Sequence, residues 1–168
     1  MRFLLLLLLI SCGPQEDKRD WRKTISLEPD YNVERQKPVY SLKVLIDEFL
    51  YDCGEIYGAD VSDISKLEFI KYGDPATEEK PNRVGVCNTF SYGNRLTKSN
   101  ITVRRYNEYV IQKGLVFHEL GHCVLGLDHT EGDAFTIMSS SISPLINNPS
   151  YFEKIWDSLV EEMCTSNS

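Results

Sequence analysis

An α+β fold, with a small sheet packed on helices, is what this sequence predicts. Three observations carry the expectation. Apolar residues recur at helical spacing over 41–51, 109–125 and 150–163, whereas 66–72 and 83–90 alternate or run apolar over strand lengths, with 101–104 a third short strand. These segments follow one another as helix, strands, helix, helix. At 168 residues the chain is long enough for one domain with a real core and no more.

At the start, Met1 and Arg2 precede an apolar run from Phe3 to Ile10. A bilayer span needs about twenty such residues, so this run fits a signal-peptide core instead. Leu9-Ile10-Ser11-Cys12 resembles the bacterial lipobox, in which small residues precede an invariant cysteine. The resemblance implies cleavage before Cys12, a diacylglycerol on its thiol and a further acyl chain on the new amino group. Two or more chains anchor stably where one does not. Gly13, rather than Asp, after the cysteine supplies no inner-membrane retention signal, so the outer membrane of a double-membraned bacterium is the expected destination. The chain thus divides into a lipoprotein signal peptide (1–11), a lipid anchor with polar tether (12–38) and a folded domain (39–168). Pro14, Pro29 and Pro38 punctuate the tether, with a short strand expected near Trp21–Leu27.

Within the domain, Ser41 serves as N-cap of a helix to Tyr51 with an apolar stripe at Leu42, Leu45, Ile46, Phe49 and Leu50. Strands are expected at Lys66–Tyr72, Arg83–Phe90 and Ile101–Arg104, with a loop from Gly73 to Asn82. Helices follow at Tyr109–Leu125 and Ser150–Met163.

All three histidines fall in His118-Glu119-Leu120-Gly121-His122-Cys123-Val124-Leu125-Gly126-Leu127-Asp128-His129. The first five residues form H-E-x-x-H. On a helix, positions i and i+4 share a face, so His118 and His122 can converge on one ion at about 2.0–2.1 Å. Glu119 points about 100° away from His118, badly placed as a ligand but well placed to hold a water as general base. Gly126 can adopt φ > 0 and stop the helix, letting the chain return Asp128 or His129 to the ion.

H-E-x-x-H followed by Gly126, His129 and, further on, Ile137-Met138-Ser139 resembles the metzincin clan of zinc metallopeptidases, the matrixin-like ones most closely. The likeness spans Val116 to about Pro144. It implies an α/β metzincin-like fold with a small mixed sheet, an active-site helix, a Met-turn and a C-terminal helix. It further implies Zn2+ on His118, His122 and His129, Glu119 as general base, and Met138 as an apolar floor. In that family the strand at the cleft edge pairs antiparallel with the substrate, a role falling here to Arg83–Phe90, with Ile101–Arg104 inside the sheet. Ser139–Leu145 would wall the pocket beside the scissile bond. Some members add a Tyr two residues after the Met; Ser140 stands there, and no such help is implied.

One departure matters. The family has two residues between the second His and the Gly; here Cys123, Val124 and Leu125 intervene. An extra helical residue adds about 1.5 Å of rise and about 100° of rotation. Either the turn shifts with Gly126 and His129 is the third ligand, or the register holds and Asp128 is. The second option puts Leu125 where φ > 0 is needed, at a steric cost, so His129 is favoured. A third ligand on the last helix (Glu153, Glu161 or Glu162), as in the gluzincins, is unnecessary; those residues read as a solvated face.

With Cys12 lipidated, the five cysteines leave Cys53, Cys87, Cys123 and Cys164, and an even number in an exported protein suggests two disulfides with three possible connectivities. Because the last metzincin helix packs near the active-site helix, the resemblance favours Cys123–Cys164, leaving Cys53–Cys87. Cys123, about 100° from His122, should face the core and not the metal.

A net charge of −7 with no basic patch argues against a nucleic-acid partner. The expected protein is a monomeric, membrane-anchored zinc metalloendopeptidase acting on peptide or protein substrates. The rival is a non-catalytic lipoprotein that keeps the fold and binds a protein partner. A purely structural zinc site is a weaker reading, since such sites are normally closed by four protein ligands.

Overall fold

A computed structural model describes residues 25–27, 40–93, 95–130 and 135–166. The expected signal segment, Cys12 and most of the tether lie outside the described residues. Among those described, no helix is long and apolar enough to cross a membrane.

The fold is mixed α+β, a small sheet packed against helices. The first helix, α1 (Leu42–Phe49), buries Leu42, Leu45, Ile46 and Phe49, four of the five stripe residues read from the sequence; the fifth, Leu50, lies beyond α1 and is only partly buried. Ser41 stands at its N-cap position, but its hydroxyl makes no capping hydrogen bond. A π-helical segment, Leu50–Ile56, continues it and buries Cys53. Strands β1 (Ser26–Leu27), β2 (Leu67–Tyr72), β3 (Gly85–Tyr92) and β4 (Arg95–Val103) form one sheet in the order β1-β2-β4-β3. The first three in that order run parallel, and β3 lies antiparallel to β4 at the edge. The metal-motif helix α2 is Tyr109–Val124, followed by the short α3 (Ser143–Asn147) and the closing α4 (Pro149–Thr165).

Two elements exceed their sequence reading. Ile25 is 6% exposed and belongs to the core, so the folded unit draws a strand from within the segment expected to be tether. The β3–β4 hairpin runs on through Ser91–Leu96, where alternation is not legible because both strands leave the core: only Ser99, Ile101 and Val103 of β4 are buried.

Helix α2 is the centre of the molecule. It buries residues on nearly every face, from Ile111 to Val124, as expected of a helix covered all round. Phe117 stacks edge-on between Phe49 of α1 and Trp156 of α4, with ring centroids 5.3 and 5.2 Å away. Lys113 ties α2 to α1 through Glu48, at 2.8 Å.

The disulfides overturn the expected pairing. Cys53 bonds Cys164 and Cys87 bonds Cys123; Cys53–Cys87 and Cys123–Cys164 do not form. The reason lies in packing. Cys123 faces the edge strand, which crosses α2 beside the metal motif, while the C-terminal end of α4 lies against the π-helical continuation of α1. Chain entropy over separations of 111 and 36 residues gives about 5 and about 4 kcal/mol of stabilisation. Non-reduced peptide mapping should recover these two pairs, and removing Cys53–Cys164 should lower stability more than removing Cys87–Cys123. Any other pairing sinks this account of how α4 is held.

Candidate metal centre

The site is built on one turn of α2 and the loop that follows. His118 and His122, one turn apart, present their Nε2 atoms 3.1 Å from each other. His129 returns its Nε2 to 3.1 Å from that of His122 and 3.2 Å from that of His118. Their second ring nitrogens explain the aim. Nδ1–H of His118 donates to the Ile137 carbonyl at 2.7 Å, and Nδ1–H of His122 to the Leu127 carbonyl at 2.5 Å. A carbonyl only accepts, so in the neutral rings both Nε2 atoms carry lone pairs. The 3.1 Å contact is therefore lone pair against lone pair, an arrangement that repels unless a cation lies between.

The donor set fits such a cation. Tetrahedral bonds of about 2.0–2.1 Å to imidazole place their donor atoms about 3.3–3.4 Å apart, close to the triangle found here. Three imidazoles suit a first-row ion, not hard Ca2+ or Mg2+, which take oxygen ligands. His118, His122 and His129 could thus hold one metal ion. Burial lowers the His118 pKa to about 4, its hydrogen bond to Ile137 opposing and its two neighbours assisting. His129 is also lowered, by burial and then by His122. Both shifts favour the neutral, metal-binding form.

The extra residue before Gly126 is absorbed in the turn. Leu125 caps the helix with right-handed backbone angles, Gly126 takes φ 67°, and the Leu127 N–H closes back on the Gly121 carbonyl at 3.1 Å. That loop is one residue wider than the five-residue back-bond of the usual glycine-terminated helix. It also aims the Leu127 carbonyl at His122. Beyond it, the Thr130 N–H donates to the Met138 carbonyl at 3.0 Å, and the Thr130 and Thr136 hydroxyls meet at 2.8 Å. These bonds fix the loop carrying His129 against the 136–139 segment. Asp128 is exposed and outside the histidine group. Glu153, Glu161 and Glu162 are exposed on α4.

Met138 is buried, and its sulfur lies where a Cβ on Gly121 would come within 2.6 Å of it. The 137–138 turn therefore rests on the helix backbone between the two histidines. Cys123 is buried in its disulfide and is not a ligand.

Glu119 is 3% exposed and lines the same cleft as the histidines. Burial raises its pKa to about 7, outweighing a hydrogen bond from the Cys87 backbone N–H and the charge of Arg83. Its Oε2 has no hydrogen-bond partner. Gly85 makes room for it: a Cβ there would fall 2.2 Å from Glu119 Oε1 and 2.9 Å from Leu115 Cδ1. Sequence reading missed Gly85, because its role comes from β3 crossing α2 and not from any local pattern. The cleft has a volume of ≈ 720 Å³ and runs between the start of β3 and the segment from Ser139 to Leu145. Comparison with family models, with curated proteins and with solved structures returns no match to this chain.

Proposed function

We propose that this protein is a zinc-dependent endopeptidase of the metzincin type, matrixin-like, held at a bacterial envelope membrane by lipid on Cys12. The observation that carries the reading is the convergence of three imidazole Nε2 atoms beside a buried carboxylate in an open cleft. Three ligands leave a coordination position free, as hydrolytic zinc sites require.

His118, His122 and His129 would hold the ion. Bound there, zinc supplies Lewis acidity, acidifying a water and stabilising charge on the substrate carbonyl oxygen. Glu119 takes one proton from the attacking water and delivers it to the amine as the peptide C–N bond breaks and the C–O bond forms. Burial, which raises the Glu119 pKa, opposes the lowering effect of a nearby cation, leaving a carboxylate that can both take and return the proton. Among the described residues β3 pairs only with β4, so its outer edge, apart from the Cys87 N–H held by Glu119, would offer backbone groups to an extended peptide, and such pairing is independent of side-chain sequence. Leu115 and the 139–145 segment line the cleft opposite, where a substrate side chain would seat.

Zinc content of the purified protein, combined with cleavage of a random peptide library, tests the reading. One zinc per chain and cleavage of extended peptides are expected. Zinc without cleavage would favour the rival, a non-catalytic lipoprotein that binds a protein partner. Gly85→Ala should leave the metal in place and lower kcat by about tenfold or more, since misplacing a reacting group by about 1 Å is costly. An unaltered kcat would show that Glu119 does not depend on this approach. Cys12→Ser should release the protein from membranes, and a variant still sedimenting with them would remove the lipid anchor from the proposal.

A further inference from the structure

The electrostatics of the cleft name a class of substrate. Besides the histidines, the charged groups lining it are Lys80, Arg83 and Glu119. The carboxylate is buried, so the charge offered to a ligand is positive, on a chain whose net charge is −7. Among the described residues neither cation forms an ion pair. Arg83 reaches Glu119 only through its field, and Lys80 reaches His129 likewise.

The two cations are presented by a built turn. Thr77 and Lys80 exchange backbone hydrogen bonds at 3.2 and 3.1 Å, the Thr77 hydroxyl also accepts from the Lys80 N–H at 3.1 Å, and the Arg83 N–H donates to the Lys80 carbonyl at 3.2 Å. The acidic residues nearby do not answer them. Glu78 and Glu79 share the turn, and Asp128 adjoins His129, but none of the three lines the cleft. Asp74 is engaged by Arg104 at 2.8 Å and by the Ala76 N–H.

Resting on the peptidase reading above, we infer that the enzyme selects peptides carrying acidic side chains just C-terminal to the scissile bond, bound by Lys80 and Arg83. The direction rests on that same reading, in which the substrate lies antiparallel to the edge strand β3. A peptide antiparallel to this strand runs its C-terminal half past the residues that precede Gly85, and those are Lys80 to Val84. Two partly exposed charge pairs should together change affinity by about tenfold at low salt, and by less as screening shortens the field.

The test uses fluorescein-labelled peptides of about ten residues sharing one uncharged sequence, with Asp, Ala or Lys at the second and third positions after the central bond. Anisotropy with the zinc-loaded E119Q protein measures binding without turnover, and the wild type measures kcat/KM. The Asp peptide should bind about tenfold more tightly than the Lys peptide and be cleaved correspondingly better. K80E and R83E should each shrink that ratio, and the double variant should invert it. Comparing peptides within one variant removes any difference in folded fraction. Equal binding of the three peptides, or a preference that survives the double variant, overturns the inference while cleavage of all three leaves the peptidase reading intact. If the wild type cleaves none, the peptidase reading fails, and the anisotropy ratio alone decides whether this rim binds acidic chains.

Discussion

Glu119→Gln should retain the metal and the fold but reduce peptide hydrolysis by at least about 10²-fold, the usual contribution of a positioned acid–base group. The amide matches the carboxylate in volume, so the tight approach of Gly85 and Leu115 is undisturbed. What is lost is the ability to take a proton. The surroundings argue that this carboxylate is kept for chemistry and not for stability. It is buried, with one oxygen unpartnered, and an isolated carboxylate in such a place is costly unless neutralised. Metal-free E119Q should therefore melt no lower than the metal-free wild type. Assay of kcat beside metal analysis and thermal melting separates the possibilities. A normal rate would reject Glu119 as the general base, whereas loss of the metal with the activity would make its role structural.

Much of the site was legible because it is local. His118, Glu119 and His122 depend only on helical spacing, and Gly126 on the left-handed turn that ends the helix. The stripe of α1 and the extent of α2 follow from periodicity for the same reason. What escaped depends on which distant segments meet. Gly85 has no signal of its own; it matters because β3 crosses α2 at Glu119. Cysteine pairing likewise depends on the layout of layers, and Cys87 meets Cys123 because the edge strand lies over the metal helix. The short strand expected near Trp21–Leu27 is there as β1, but a two-residue strand carries too little pattern to show that Ile25 beside it joins the core. The long β3–β4 hairpin hid because its outer half is solvated on both faces, although Gly93-Asn94 is a dipeptide that marks turns.

The third ligand is where local reading left two arrangements open, and there the largest effect on metal binding is expected. His118→Ala, His122→Ala and His129→Ala should each weaken zinc binding by more than about 10²-fold, beyond the 10–100-fold typical of losing an outer-shell partner. Asp128→Ala should weaken it less than about tenfold. The argument turns on His129, which is exposed and sits on a loop, yet holds its Nε2 within 3.2 Å of both helical histidines. The Thr130–Met138 and Thr130–Thr136 hydrogen bonds prepay the ordering of that loop, so the ion need not recruit it from an unfolded state. Competition with a fluorescent chelator gives the affinities. Circular dichroism of each variant should show the domain, held by its two disulfides, still folded without metal. Should Asp128→Ala shed zinc while His129→Ala retains it, the turn at Gly126 is misread and the ligand arrives in the other register.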